Sequence, residues 1–342
     1  MVSHLLTHLR LAVKSALRSR TSLVAGFAVT IGATSMVPNG ATASAAPPTP
    51  SVRVHTLVSG LPDVPPPSFF AGVGPFGLAF GEAHRLLVSD AANLGFYSFD
   101  RHGSTTAPTP LTTGNVQSGL TLGKGGELFA ALYQAGNIDQ VDPTTGQFIR
   151  QLNPVGTTYN CVTGLATDPI SGDLFFGQPN SGGVCPGSSQ LTRVENPRSA
   201  HPTFVAYTAQ PGVNYTGVAF APDGTLYAVQ QSSSNGCAVR ISGTSSPSPP
   251  TITTIACFPA FQNEFIGIDA IAVSPDLHGA PTLYVAGPSG TITKIDQSTN
   301  PPTLAPVVTL PTRIDGLLVG RGGRLYATQS TSIVRISGLA RG

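Results

Sequence analysis

A small residue that opens an apolar run recurs six times along this chain, at Gly77, Gly119, Gly164, Gly217, Ala270 and Gly316, at intervals of 42 to 53 residues. Each copy continues alike. A leucine follows nine residues later at Leu86, Leu128, Leu226 and Leu325, ten later at Leu174 and thirteen later at Leu283. The last copy, residues 313–337, reads as three short strands joined by tight turns: an apolar triplet, a Gly-rich turn, Leu-Tyr-Ala, a polar loop and an alternating strand. Residues 147–152, 203–207, 251–256 and 306–310 supply a fourth strand to copies two to five. A unit of this length with several strands is a β-propeller blade, so the chain predicts an all-β, six-bladed propeller with four antiparallel strands per blade. The last copy ends with only three strands. Residues 52–58, which alternate apolar and polar, are expected to provide its missing outer strand and close the ring.

The first 46 residues have another character. They hold Arg10, Lys14, Arg18 and Arg20 and no acid, then an apolar run over residues 23–37 and Ala43-Ser44-Ala45. That order is expected of a secretory signal peptide and its cleavage region. The apolar run is shorter than the roughly 20 residues a membrane span needs. Residues 47–342 are then one propeller domain, secreted or periplasmic. Without the leader the net charge changes from +2 to about −2, which leaves no basic footprint for nucleic acid. No membrane partner is expected after signal cleavage, and a monomer is expected.

Four cysteines in an exported chain should pair. Folding the hairpin about residues 243–250 sets Cys237 opposite Cys257, which leaves Cys161 with Cys185. Two familiar patterns carry nothing. Gly72-x-Gly74-x-x-Gly77 leads into a strand and not a helix, so it is no dinucleotide fingerprint, and residues 119–125 lack the spacing of a phosphate loop.

Register supplies the candidate site. Strands alternate direction within a blade, so the start of each first strand and the end of each second strand lie on one face of the ring. Just before the six small residues stand Phe76, Ser118, Thr163, Thr216, Asp269 and Asp315. Four residues beyond each second-strand leucine stand Asp90, Leu132, Gln178, Gln230, Gly287 and Gln329. Most other acids open turns, where local backbone hydrogen bonding explains them. Asp269 and Asp315 follow isoleucine and precede a buried strand. Two neighbouring carboxylates near an axis repel unless something relieves them. Either a Ca2+ or Mg2+ ion does so, or each carboxylate caps backbone N–H groups of a nearby loop. Phe69, Phe70, Tyr159, Tyr215, Phe261 and Phe265 fall in loops that would form an apolar rim on the same face.

The frame Pro75-Phe76-Gly77-Leu78-Ala79-Phe80, followed by Leu87-Val88-Ser89-Asp90 and Asn93, resembles NHL-type and gluconolactonase-like (senescence-marker-protein) six-bladed propellers. The resemblance covers all six repeats at the level of blade pattern. It implies a divalent cation held over the channel by a Glu, an Asn and an Asp placed before first strands. Asp315-Gly316-Leu317 matches the Asp element, and Asp269 holds the same place one blade earlier; Phe76 stands at the Glu position and Thr163 or Thr216 at the Asn position. Two readings follow. One is a propeller that binds a small molecule or protein on the channel-top face, lined by Phe76, Ser118, Thr163, Thr216, Gln178, Gln230 and Gln329. The other is a divalent-metal-dependent hydrolase of a lactone or ester, with the ion at Asp269 and Asp315 and Asp90 as base. Neither calls for an organic cofactor.

Overall fold

The structure is a computed structural model; it describes residues 51–342 except 65–72, 82–84, 93–94, 101, 103–111, 114–116, 134, 160, 180–189, 210–212, 233, 244–249, 261–266, 275–279 and 340–342. The expected leader therefore lies outside the described residues. Six four-stranded antiparallel sheets follow one another, five of them with their strands in chain order from the axis outward and the sixth with the N-terminal strand outermost. The innermost strands are Pro75–Phe80, Gln117–Leu122, Leu165–Thr167, Asn214–Phe220, Ala270–Val273 and Leu317–Gly320. The second strands are Leu86–Asp90, Leu128–Leu132, Leu174–Gln178, Leu226–Gln231, Leu283–Ala286 and Arg324–Gln329, so every repeat leucine opens or nearly opens its strand.

Blade six closes as expected. Arg53–Ser59 pairs antiparallel with Ser332–Ser337, Arg53 opposite Ser337 and Ser59 opposite Ser332. This pairing covers an edge that would otherwise recruit another strand. Blade one also has a fourth strand, described over Thr112–Thr113.

The core is divided into layers between blades. Leu87, Phe96, Leu120 and Leu128 join blades one and two, while Phe175, Leu191, Tyr215 and Val239 join blades three and four. Leu57 and Val58 of the N-terminal strand enter the layer between blades six and one. Each sheet thus buries both faces, and the ring is the only way all six can do so.

The repeated small residue has a steric cause. A methyl group on Gly77 would run into the backbone of Ser118 and Leu120; on Gly119 it would meet Thr163 and Leu165, and on Gly164, Thr216 and Val218. Gly217 abuts Asp269 in the same way, and Gly316 abuts Phe76. Glycine here lets neighbouring innermost strands touch: Gly119 donates to the Thr163 carbonyl at 3.0 Å and Gly164 to that of Thr216 at 2.8 Å. Ala270 marks the one junction with room for a side-chain carbon. The turns that leave the innermost strands need glycine for another reason, a positive φ, as at Gly126 (88°) and Gly224 (83°).

Cys237 and Cys257 face each other across the ladder and form a disulfide. Cys161 is disulfide-bonded too; its expected partner, Cys185, lies outside the described residues. A disulfide, and the absence among the described residues of any helix long and apolar enough to cross a membrane, are compatible with an extracellular or periplasmic location.

Candidate ligand site at the channel mouth

Where the six small residues meet, a cavity of about 70 Å3 lies on the axis, lined by all six of them. Of the site residues expected from sequence, Phe76, Thr216, Asp269 and Asp315 line it. The others are engaged elsewhere. Ser118 donates to the Val162 carbonyl at 2.6 Å, and Thr163 approaches the carbonyls of Gly177, Tyr215 and Thr216 at 3.1 to 3.3 Å. These hydroxyls stitch one blade to the next, as Ser89 does at the Ser118 carbonyl, 2.5 Å away. Gln178 accepts from Gln190 and Thr192 within its own blade, Gln329 donates to Thr312 at 3.2 Å, and Asp90 accepts the Ala92 N–H at 2.8 Å.

Gln230 donates to the Tyr215 hydroxyl at 2.8 Å. Its neighbour Gln231 reaches blade five instead. The second strand of blade four runs one residue longer than in blades one to three, and adjacent residues of a strand face opposite ways. Gln231 donates to the Ile268 carbonyl at 2.8 Å and lies 3.1 Å from the Thr216 hydroxyl and 3.4 Å from the Asp269 carboxylate. The expected aromatic rim needs correction as well. Tyr215 is fully buried inside the strand Asn214–Phe220, and Tyr159 stacks on Phe204 with ring centres 5.1 Å apart. Phe69, Phe70, Phe261 and Phe265 lie outside the described residues.

Asp315 has a partner that spacing did not suggest. The Arg313 guanidinium grips its carboxylate through Nε at 2.9 and 3.0 Å and through a terminal nitrogen at 2.8 Å. The Asp315 side chain is only 2% exposed and that of Arg313 16%, so this is a largely desolvated, multidentate ion pair. A guanidinium therefore already supplies the positive charge that the resemblance assigns to a divalent ion. The remaining donors do not make up the difference. Phe76 offers no ligand atom, the Thr163 hydroxyl is turned into backbone carbonyls, and no group of three His, Cys, Asp or Glu among the described residues could hold a metal. The residues present do not fit a family-type divalent site.

The turn acids behave as expected. Asp142 accepts the N–H groups of Thr145 and Thr144, and Asp296 is bonded by the Ser298 side chain and N–H; these bonds hold both carboxyls below the usual range. One acid escaped notice. Asp139 lies in the third strand of blade two, is 8% exposed, and its Oδ1 has no hydrogen-bond partner among the described residues. Burial pushes its carboxyl up to about 6. The equivalent strand position holds Tyr97, Thr192, Val239, Thr293 and Val334 in the other blades, so an acid there was a visible departure from the repeat.

Neither a protein-family profile nor a curated protein sequence matches this chain. Solved structures do. A gluconolactonase from Xanthomonas campestris aligns at 17% identity over 83% of this chain and 89% of its own, with a TM-score of 0.64. The fold is that of gluconolactonase-like six-bladed propellers. A PQQ-bound aldose sugar dehydrogenase from Streptomyces coelicolor shares it at 16% identity, covering 85% of this chain and 99% of that one, TM-score 0.60. So does a luciferin-regenerating enzyme at 16% identity over 85% and 96%, TM-score 0.59.

Proposed function

We propose that this protein is an exported binding propeller that takes a small polyhydroxylated ligand, such as a sugar or sugar lactone, at the channel mouth without a metal ion. The observation that carries the reading is the Arg313–Asp315 pair, which meets one of the two axial carboxylates from within the chain. Around it, the Asp269 carboxylate and the Thr216 hydroxyl offer polar atoms, and Phe76 offers an apolar face. A few placed polar groups against an aromatic surface suit a sugar ring. Its neighbours in fold, a gluconolactonase and an aldose sugar dehydrogenase, act on ligands of that class.

The cavity itself, about 70 Å3, has room for about two waters at roughly 30 Å3 each, so the ligand caps the channel and sends at most one substituent into it. Thermal-shift and calorimetric screening of hexoses, amino sugars and aldonolactones tests this. One of these classes should bind, and Asp269→Asn should weaken it tenfold or more. Failure of every class would refute the reading. The hydrolase reading is favoured by the fold neighbours and by Asp315-Gly316-Leu317; release of acid from a lactone that depends on added Ca2+ or Mg2+ would put it first.

A further inference from the structure

Beyond the ring of small residues, at the other end of the channel, the innermost strands diverge around a second and larger cavity of about 500 Å3. All six blades contribute to it. Leu78 and Phe80, Leu120 and Leu122, Val218 and Phe220 line it together with Ile271, Val273, Leu317 and Val319. No charged residue is among its lining. That sets it apart from the channel mouth, where Asp269 and Asp315 stand. Its size falls within the range of roughly 300 to 1,000 Å3 typical of small-molecule sites.

Two further features say what it would hold. Thr121 and Thr167, from adjacent blades, are the lining residues with side-chain hydroxyls, and their oxygens are 3.0 Å apart. One hydroxyl donates to the other, which leaves the acceptor with a hydrogen of its own to offer. In addition, each innermost strand is the edge of its sheet, so the side away from its neighbour has no ladder partner within the blade. At the level of the glycines those backbone groups are met by the next blade, as in the Gly119 and Gly164 bonds. Where the strands diverge, they face the cavity.

We propose that this cavity is a second binding site, distinct from the channel mouth, for a neutral, largely apolar small molecule carrying one or a few hydroxyl, amine or amide groups. The apolar body takes the place of water against leucine, valine and phenylalanine. Its polar groups meet the Thr121–Thr167 pair and the strand edges. A charged ligand is disfavoured because nothing in the lining compensates a desolvated charge. The inference does not depend on what the channel mouth binds.

The test is titration of the mature protein with the neutral probe N-phenyl-1-naphthylamine, whose fluorescence rises when it leaves water. A saturable, one-to-one enhancement is expected, weakened tenfold or more by Thr167→Phe, which replaces a cavity hydroxyl with a ring. Should that variant fail to fold, Thr121→Val combined with Thr167→Val keeps the shape and removes both hydroxyls, and several-fold weaker binding is expected. Phe148 and Ile149, 63% and 51% exposed on the outer edge of blade two, are the competing apolar surface. Changing both to Ser should leave binding unchanged. No saturable enhancement, binding indifferent to the threonine changes, or binding lost with Phe148 and Ile149 would overturn the proposal.

Discussion

Two buried carboxylates in this ring have met burial in opposite ways. Asp315, at the axis of blade six, is held by a guanidinium two residues before it in the chain. Asp139, in the third strand of blade two, keeps one oxygen without a hydrogen-bond partner among the described residues, and its carboxyl is pushed up to about 6. A buried carboxylate without a matched partner retreats toward its neutral form. The difference separates a place built to hold charge from one that tolerates it.

Removing the partner should have the largest effect. Arg313→Leu leaves Asp315 desolvated and alone, at a cost of about 3 to 5 kcal/mol. Urea denaturation would measure it. Adding Asp315→Leu to the same chain should recover most of the loss, because the charge that needed a partner is gone. A single variant within about 0.5 kcal/mol of the parent, as for an ordinary surface change, would show that the two sites do not differ in this way.

The next effect belongs to Asp139. Its folded-state carboxyl binds a proton more tightly than the unfolded chain does. The stability it contributes is therefore complete below about pH 4 and is lost as pH rises through about 6. Asp139→Asn should remove that loss, raising stability at pH 7 by up to about 3 kcal/mol if the amide packs as the acid does. Denaturation curves at pH 4.5 and 7 for parent and variant give the difference directly. An unchanged pH dependence would mean that the carboxyl is solvated in solution.

The smallest effect has the opposite sign. Asp142, exposed and holding two backbone N–H groups, has its carboxyl lowered, so its contribution is present above about pH 4 and disappears as pH falls further. Asp142→Ala should flatten the acid limb of the stability profile slightly and leave the limb near pH 6 untouched.

The chain's spacing made the blades legible because six junctions impose the same steric demand, a residue small enough for two backbones to touch. It also made the Cys237–Cys257 pair and the closing strand legible, since antiparallel register follows from counting. Side-chain partners were less legible. Arg313 reads as part of the turn before Asp315, and only the fold of that turn brings its guanidinium back onto the carboxylate. Gln231 was hidden because it is one extra residue at the end of its strand, on the face opposite to Gln230. Tyr215 looked like a loop residue because the innermost strand of blade four begins at Asn214, ahead of the repeat's small residue.

The central claim is that the Asp315 carboxylate is held by Arg313 and not by a bound metal. It is tested most directly by the melting curve of the mature protein, purified without chelator, recorded with and without excess EDTA. A ligand bound only by the folded state raises its stability by mass action, so removing a structural ion must lower the midpoint. An unchanged midpoint is predicted. A fall of several degrees, restored by Ca2+ or Mg2+, would contradict the account.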